Sequence, residues 1–144
     1  MKKIFINHYS LFIILAVLLS SCQDQVQQVT GTYSYKISGS AEVSTDSVVL
    51  SNEQGAMDLI RIDTTAALLT FNELRGATYV ANATIHGKTI ELSPYKRNLT
   101  IGSRTYPITA SGTGTIYENT LVLTLSYKGE DVSADEILLV CKKN

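Results

Sequence analysis

Tryptophan is absent from this 144-residue chain, cysteine, proline, histidine and methionine occur twice each, and phenylalanine three times. Each shortage removes a class of explanation. Two prolines leave no Pro-rich linker or polyproline segment. Two cysteines allow one disulfide at most, which excludes a disulfide scaffold. His8 and His86 are too few for a multi-histidine zinc centre and nearly exclude a histidine relay. His86 also precedes Gly87 between two strand-like segments, where a polar turn residue is expected anyway. Charge of one sign is lacking too, with 12 Lys and Arg against 13 Asp and Glu. That balance predicts no nucleic-acid surface. No apolar run reaches the roughly 20 residues that a membrane-crossing helix needs.

What is present is concentrated first at the amino terminus. Lys2 and Lys3 precede Leu11–Leu19 (LFIILAVLL), an unbroken apolar run. At about 1.5 Å per residue it is far shorter than a bilayer core of roughly 30 Å. A charged start, a short apolar stretch and small residues after it predict a secretory signal over residues 1–21. The stretch ends Leu19-Ser20-Ser21-Cys22, which resembles the lipobox of bacterial lipoproteins. The resemblance implies lipidation of Cys22, cleavage just before it, and a partner in the membrane itself through the lipid anchor. Gln23 stands where enteric inner-membrane lipoproteins commonly carry Asp, so the implied location is the cell envelope at the outer membrane, in either leaflet. Residues 22–29, with the Gln-rich run Gln23–Gln28, read as the lipidated cysteine and a polar tether. The mature chain keeps ten basic and 13 acidic residues, a net −3. Acyl chains rather than charge would then hold the membrane. Cys141 loses its only potential disulfide partner and is expected as a buried, inert thiol in the last strand.

Residues 30–144 read as one all-β domain. Tyr33, Tyr35 and Ile37 alternate with Thr32, Ser34 and Lys36; the same period of two returns at Tyr79–Ile85 and Leu121–Tyr127. Ser47–Ser51, Met57–Asp63, Ala66–Phe71, Lys88–Ser93, Arg104–Ala110 and Glu136–Lys142 are further strand-like segments, with Asn98–Ile101 as a short addition. Turn chemistry is expected at Ser51–Gly55, Arg75-Gly76, His86-Gly87, Gly102-Ser103 and Glu118-Asn119. The hairpin Thr84–Leu92 resembles Thr115–Leu123, as two hairpins of one barrel wall would. Connections this short predict an antiparallel meander. Its edges must be hidden, so the expectation is a β-barrel of about 8–10 strands, with a β-sandwich as the alternative. Gly31-Thr32-Tyr33 followed by such a meander resembles lipocalin-like (calycin) lipoproteins of Bacteroidetes, with Tyr33 where the lipocalin signature has Trp.

Tyr33, Tyr35, Tyr79 and Tyr127 fall on the apolar phase of their strands and are the candidate ligand-lining residues. They point to a non-catalytic binding module for a small apolar or glycan-like ligand. Alternating Gly112 and Gly114 suggest a bent strand or close backbone approach in a narrow barrel. Ser111-Gly112 with Tyr117, and Tyr127-Lys128-Gly129 further on, resemble the paired motifs of lipoprotein inhibitors of C-type lysozyme. That resemblance implies a protein ligand met by a protruding loop pair, with Ser111, Gly112, Tyr117 and Lys128 as contacts. Glu130, Asp131, Asp135 and Glu136 match no cation-loop signature and read as a solvated hairpin tip. No catalytic set, metal or cofactor is expected.

Overall fold

A computed structural model describes residues 29–73 and 77–144, without the side chains of residues 51 and 52. The signal segment, Cys22, the tether to Gln28 and the Arg75-Gly76 turn lie outside the described residues. Eight strands follow one another: β1 Gly31–Val43, β2 Asp46–Arg61, β3 Ala66–Glu73, β4 Thr78–His86, β5 Thr89–Ile101, β6 Arg104–Ile116, β7 Thr120–Gly129 and β8 Val132–Lys143. Each pairs antiparallel with the next, and β8 returns to β1 to close the barrel. Closure decides against a sandwich.

Two sequence-based boundaries are corrected. Ser51–Gly55 is not a turn: β2 runs through it, and Gly55 faces the Tyr35 ring, where a Cβ would collide with the phenol. Gly55 is therefore there for room, not for chain reversal. Likewise β5 does not stop at Ser93, and Asn98–Ile101 is its continuation. Pro94 stays inside the strand at an irregularity between Leu92 and Tyr95 in the pairing with β6. It can do so because the ladder to β4 has already ended at Leu92, so no partner awaits an N–H from it.

Alternation sends Met57, Leu59, Leu69, Ile90, Leu123, Leu125, Ile137 and Leu139 into one buried core. The barrel is narrow, and β6 shows how it is filled. A Cβ at Gly112 would strike the Thr124 carbonyl and Leu125, and one at Gly114 would strike the Val122 carbonyl and Leu123. The close backbone approach expected from these glycines is thus what lets large leucines from β7 occupy the interior. Thr84–Leu92 and Thr115–Leu123 both straddle hairpins at the same end, with the Ile85–Ile90 and Ile116–Leu121 pairs in equivalent places. Cys141 is fully buried in β8, as expected.

The two ends differ. The lower end carries the turns after β2, β4 and β6 together with Val29 and Asn144. Val29 is buried there, and its carbonyl accepts a hydrogen bond from the Tyr33 hydroxyl at 2.6 Å. At the upper end β3 and β4 are short while their neighbours continue. Residues 46–54 of β2 extend beyond the β2–β3 ladder, which runs from Gly55 to Arg61. Residues 93–101 of β5 extend beyond the β4–β5 ladder, which spans only Leu92 to Thr89 on β5. Two tall hairpins, β1–β2 and β5–β6, therefore flank a low one, and the barrel mouth opens over that low wall.

Candidate functional site

Over the low hairpin lies a cleft of about 710 Å³. Tyr35 and Ile37 reach it from β1, Leu50, Glu53 and Gln54 from β2, Glu73 from β3, Tyr79 from β4, and Arg97 and Asn98 from β5. An aromatic layer underlies it. Tyr35 meets Phe71 edge-on with centroids 6.0 Å apart, and Phe71 stacks on Tyr95 at 5.7 Å. Such pairs add about 1 kcal/mol each beyond their buried area.

Arg97 is the unusual member. Arginine is almost never buried unless paired, yet Arg97 is only 6% exposed. The β5 alternation Tyr95-Arg97-Leu99-Ile101 turns it inward. Its Nη2 donates to Glu73 in a salt bridge, and its Nη1 donates to the Tyr127 hydroxyl at 3.2 Å. The guanidinium lies 5.0 Å from the Tyr79 ring centroid and 5.3 Å from that of Tyr127. Burial alone disfavours the Arg97 charge, but Tyr127, Glu73, Tyr95 and Tyr79 more than offset this and hold its pKa above the usual value. Nε, by contrast, is buried with no hydrogen-bond partner. A buried donor left unpaired is costly, so this atom is the exception within an otherwise paired guanidinium.

Burial drives the phenols the other way. Desolvation raises the Tyr127 pKa to about 12 despite the nearby Arg97 charge. It also raises those of Tyr35 and Tyr95. These groups are neutral hydrogen-bonding surfaces at ordinary pH, not acids or bases.

The four tyrosines singled out from the sequence are divided by the fold. Tyr35 and Tyr79 line the cleft. Tyr127 lies behind Arg97 in the core, and Tyr33 is at the lower end, tied to Val29. The proposed protein-contact residues do not come together. Ser111 and Gly112 pair with Ser126 and Leu125 in mid-strand, Tyr117 is exposed at the lower end, and Lys128 stands near the upper end of β7. They form part of the wall and its rims, not one protruding loop. Among the described residues no three His, Cys, Asp or Glu side chains converge on a possible metal position. Sequence reasoning missed Arg97, Glu73 and Tyr95. The available signal was the alternation on β5, interrupted to the eye by Pro94.

No protein-family model matches the chain, and no curated protein sequence matches it. Among solved structures, a redesigned β-barrel superimposes with a TM-score of 0.49 at 8% identity, covering 83% of this chain and 95% of that one.

Proposed function

We propose that this protein is a lipid-anchored, non-catalytic binding module whose mouth cleft takes a small saccharide-like ligand. The observation that carries the reading is the cleft itself. Its size falls within the range of roughly 300–1,000 Å³ common to small-molecule sites, and it combines Tyr35 and Tyr79 with Glu53, Gln54 and Asn98. Sugars present apolar C–H faces to aromatic rings and hydroxyls to carboxylates and amides. A wholly apolar ligand would leave those polar groups desolvated without partners. Saccharide chemistry fits better.

Anchoring at Cys22 complements this arrangement. The described chain begins at the lower end, so a tether from Cys22 would leave the mouth facing away from the bilayer. Seven residues from Cys22 to Val29 reach at most about 25 Å.

Both parts are testable. Isothermal titration of the full-length chain against oligosaccharides should give saturable binding that Tyr79→Ala weakens. Absence of binding across neutral and charged saccharides would end the ligand reading. Feeding cells an alkyne-tagged fatty acid should label the wild-type protein and leave Cys22→Ser unlabelled. An unlabelled wild-type protein would remove the anchor.

A further inference from the structure

Tyr79, Arg97 and Asn98 border two cavities rather than one. The second is a groove of about 440 Å³ that also takes in Lys96, Pro107, Thr109 and Lys128. Register explains its composition. Lys96 pairs with Thr109, and Thr109 with Lys128, so two lysines stand in one cross-strand row across β5, β6 and β7. Neighbouring strands lie about 4.8 Å apart, which separates the two lysine stems by roughly 10 Å at the backbone. Both lysines are exposed, and neither is in a salt bridge with a described residue. The groove lining contains no carboxylate, whereas Glu53 and Glu73 face the cleft.

The wall between the two cavities is thin. Residues 78–82 of β4 share no ladder with β5, because pairing stops at Ala83 and Leu92. What crosses the gap is the Tyr79 hydroxyl, which donates to the Asn98 carbonyl at 3.1 Å. Beside it is Arg97, whose buried Nε lacks a partner.

We propose that cleft and groove form one continuous surface for an acidic saccharide chain. Its neutral rings occupy the mouth cleft, its carboxylate or sulfate group lies on Lys96 and Lys128, and the chain crosses at Tyr79 and Asn98, which border both cavities. This rests on the saccharide reading of the cleft and adds the charge of the ligand and its path. The separation of charge supports it. An anion in the groove meets two unpaired lysines and stays clear of the cleft carboxylates, while Glu73 is already neutralised by Arg97. Tyr79, Arg97 and Asn98, which line both cavities, give an independent reason for a ligand to pass there.

The test uses the full-length chain in non-ionic detergent and three oligosaccharides of equal length: neutral, uronic-acid-containing and sulfated. Calorimetry should show at least one acidic oligosaccharide binding roughly fivefold tighter than the neutral one, the effect expected of two exposed charge contacts. The advantage should disappear in Lys96→Ala/Lys128→Ala and in about 0.5 M salt, while neutral binding persists. Exposed lysine changes leave the fold intact, so the comparison does not depend on a core variant. Whichever acidic arm binds tighter identifies the anionic group. Equal affinity for all three, with Tyr79→Ala weakening each, would overturn this inference and leave the cleft reading standing. Acidic binding that needs the lysines but ignores Tyr79→Ala would overturn the joined surface. No binding in any arm would overturn both readings.

Discussion

Arg97 and Glu73 are where single side chains decide most. Removing one partner of a buried ion pair leaves an uncompensated charge, whereas replacing both with apolar groups is often neutral. Glu73 is 21% exposed, so Glu73→Ala is expected to cost about 3 kcal/mol, the low end for such pairs. Combining Glu73→Leu with Arg97→Met should recover most of that loss. Urea denaturation of the single and double variants measures it, and a double variant as unstable as Glu73→Ala would contradict the pairing. Titration adds a second test. Burial pushes the Tyr127 phenol and the Cys141 thiol up to about 12. Unfolded, such groups ionise near 10 and 8.5. A folded pKa above the unfolded one stabilises fully below the unfolded value and is lost as pH rises towards the folded one. The melting temperature should therefore hold between pH 7 and about 8.5 and fall steadily towards pH 12. A flat profile up to pH 12 would show these groups to be solvated. At this scale the sequence was half legible. Alternation placed Tyr35 and Tyr79 inward, but the ordinary expectation that arginine faces water hid Arg97. Its burial depends on Glu73, 24 positions away on another strand.

Turns and strand interiors set the register, and glycine has two different meanings among them. Gly87 and Gly102 have φ of 59° and 61° at the first central position of two-residue hairpins, where positive φ is required. Ser44 occupies the comparable position of the β1–β2 turn with φ 57° and has a Cβ to accommodate. Ser44→Gly is expected to raise stability by about 1 kcal/mol, read as a higher urea midpoint. No change would mean that the turn imposes no strain. Gly112 is the opposite case, needed for space. Gly112→Ala should cost about 2–3 kcal/mol by pressing on the Thr124 carbonyl and Leu125. An unchanged midpoint would contradict the tight packing of β6 on β7. Local turn chemistry was readable at Gly87 and Gly102, but not at Ser44-Thr45 or across residues 62–65, where no glycine marks the reversal. It misled at Ser51–Gly55, because Asn, Gln and Gly promote turns locally while the space required by Tyr35 is a tertiary demand. Pro94 misled for a similar reason: whether proline breaks a strand depends on which neighbour would have needed its N–H.

Across the whole molecule, short connections made the meander legible, since a dozen residues are needed for a parallel crossover and none of the described connections has them. The closed barrel was the expectation that followed from hiding the edges, and β8 does pair with β1. The asymmetry between ends could not be read from one strand at a time. It arises because β3 and β4 are shorter than the hairpins on either side, a relation among four strands that only their registers reveal. That asymmetry leaves the lower barrel filled with side chains and the mouth open, and it is the basis of the functional account. The most direct test is amide chemical-shift mapping of isotope-labelled protein during titration with a binding oligosaccharide. The account predicts the largest shifts at Gln54, Tyr79, Arg97 and Asn98, with Gly87 and Tyr117 at the lower end unmoved. Shifts confined to the lower end or to the outer face of β2–β4, with the mouth silent, would contradict it.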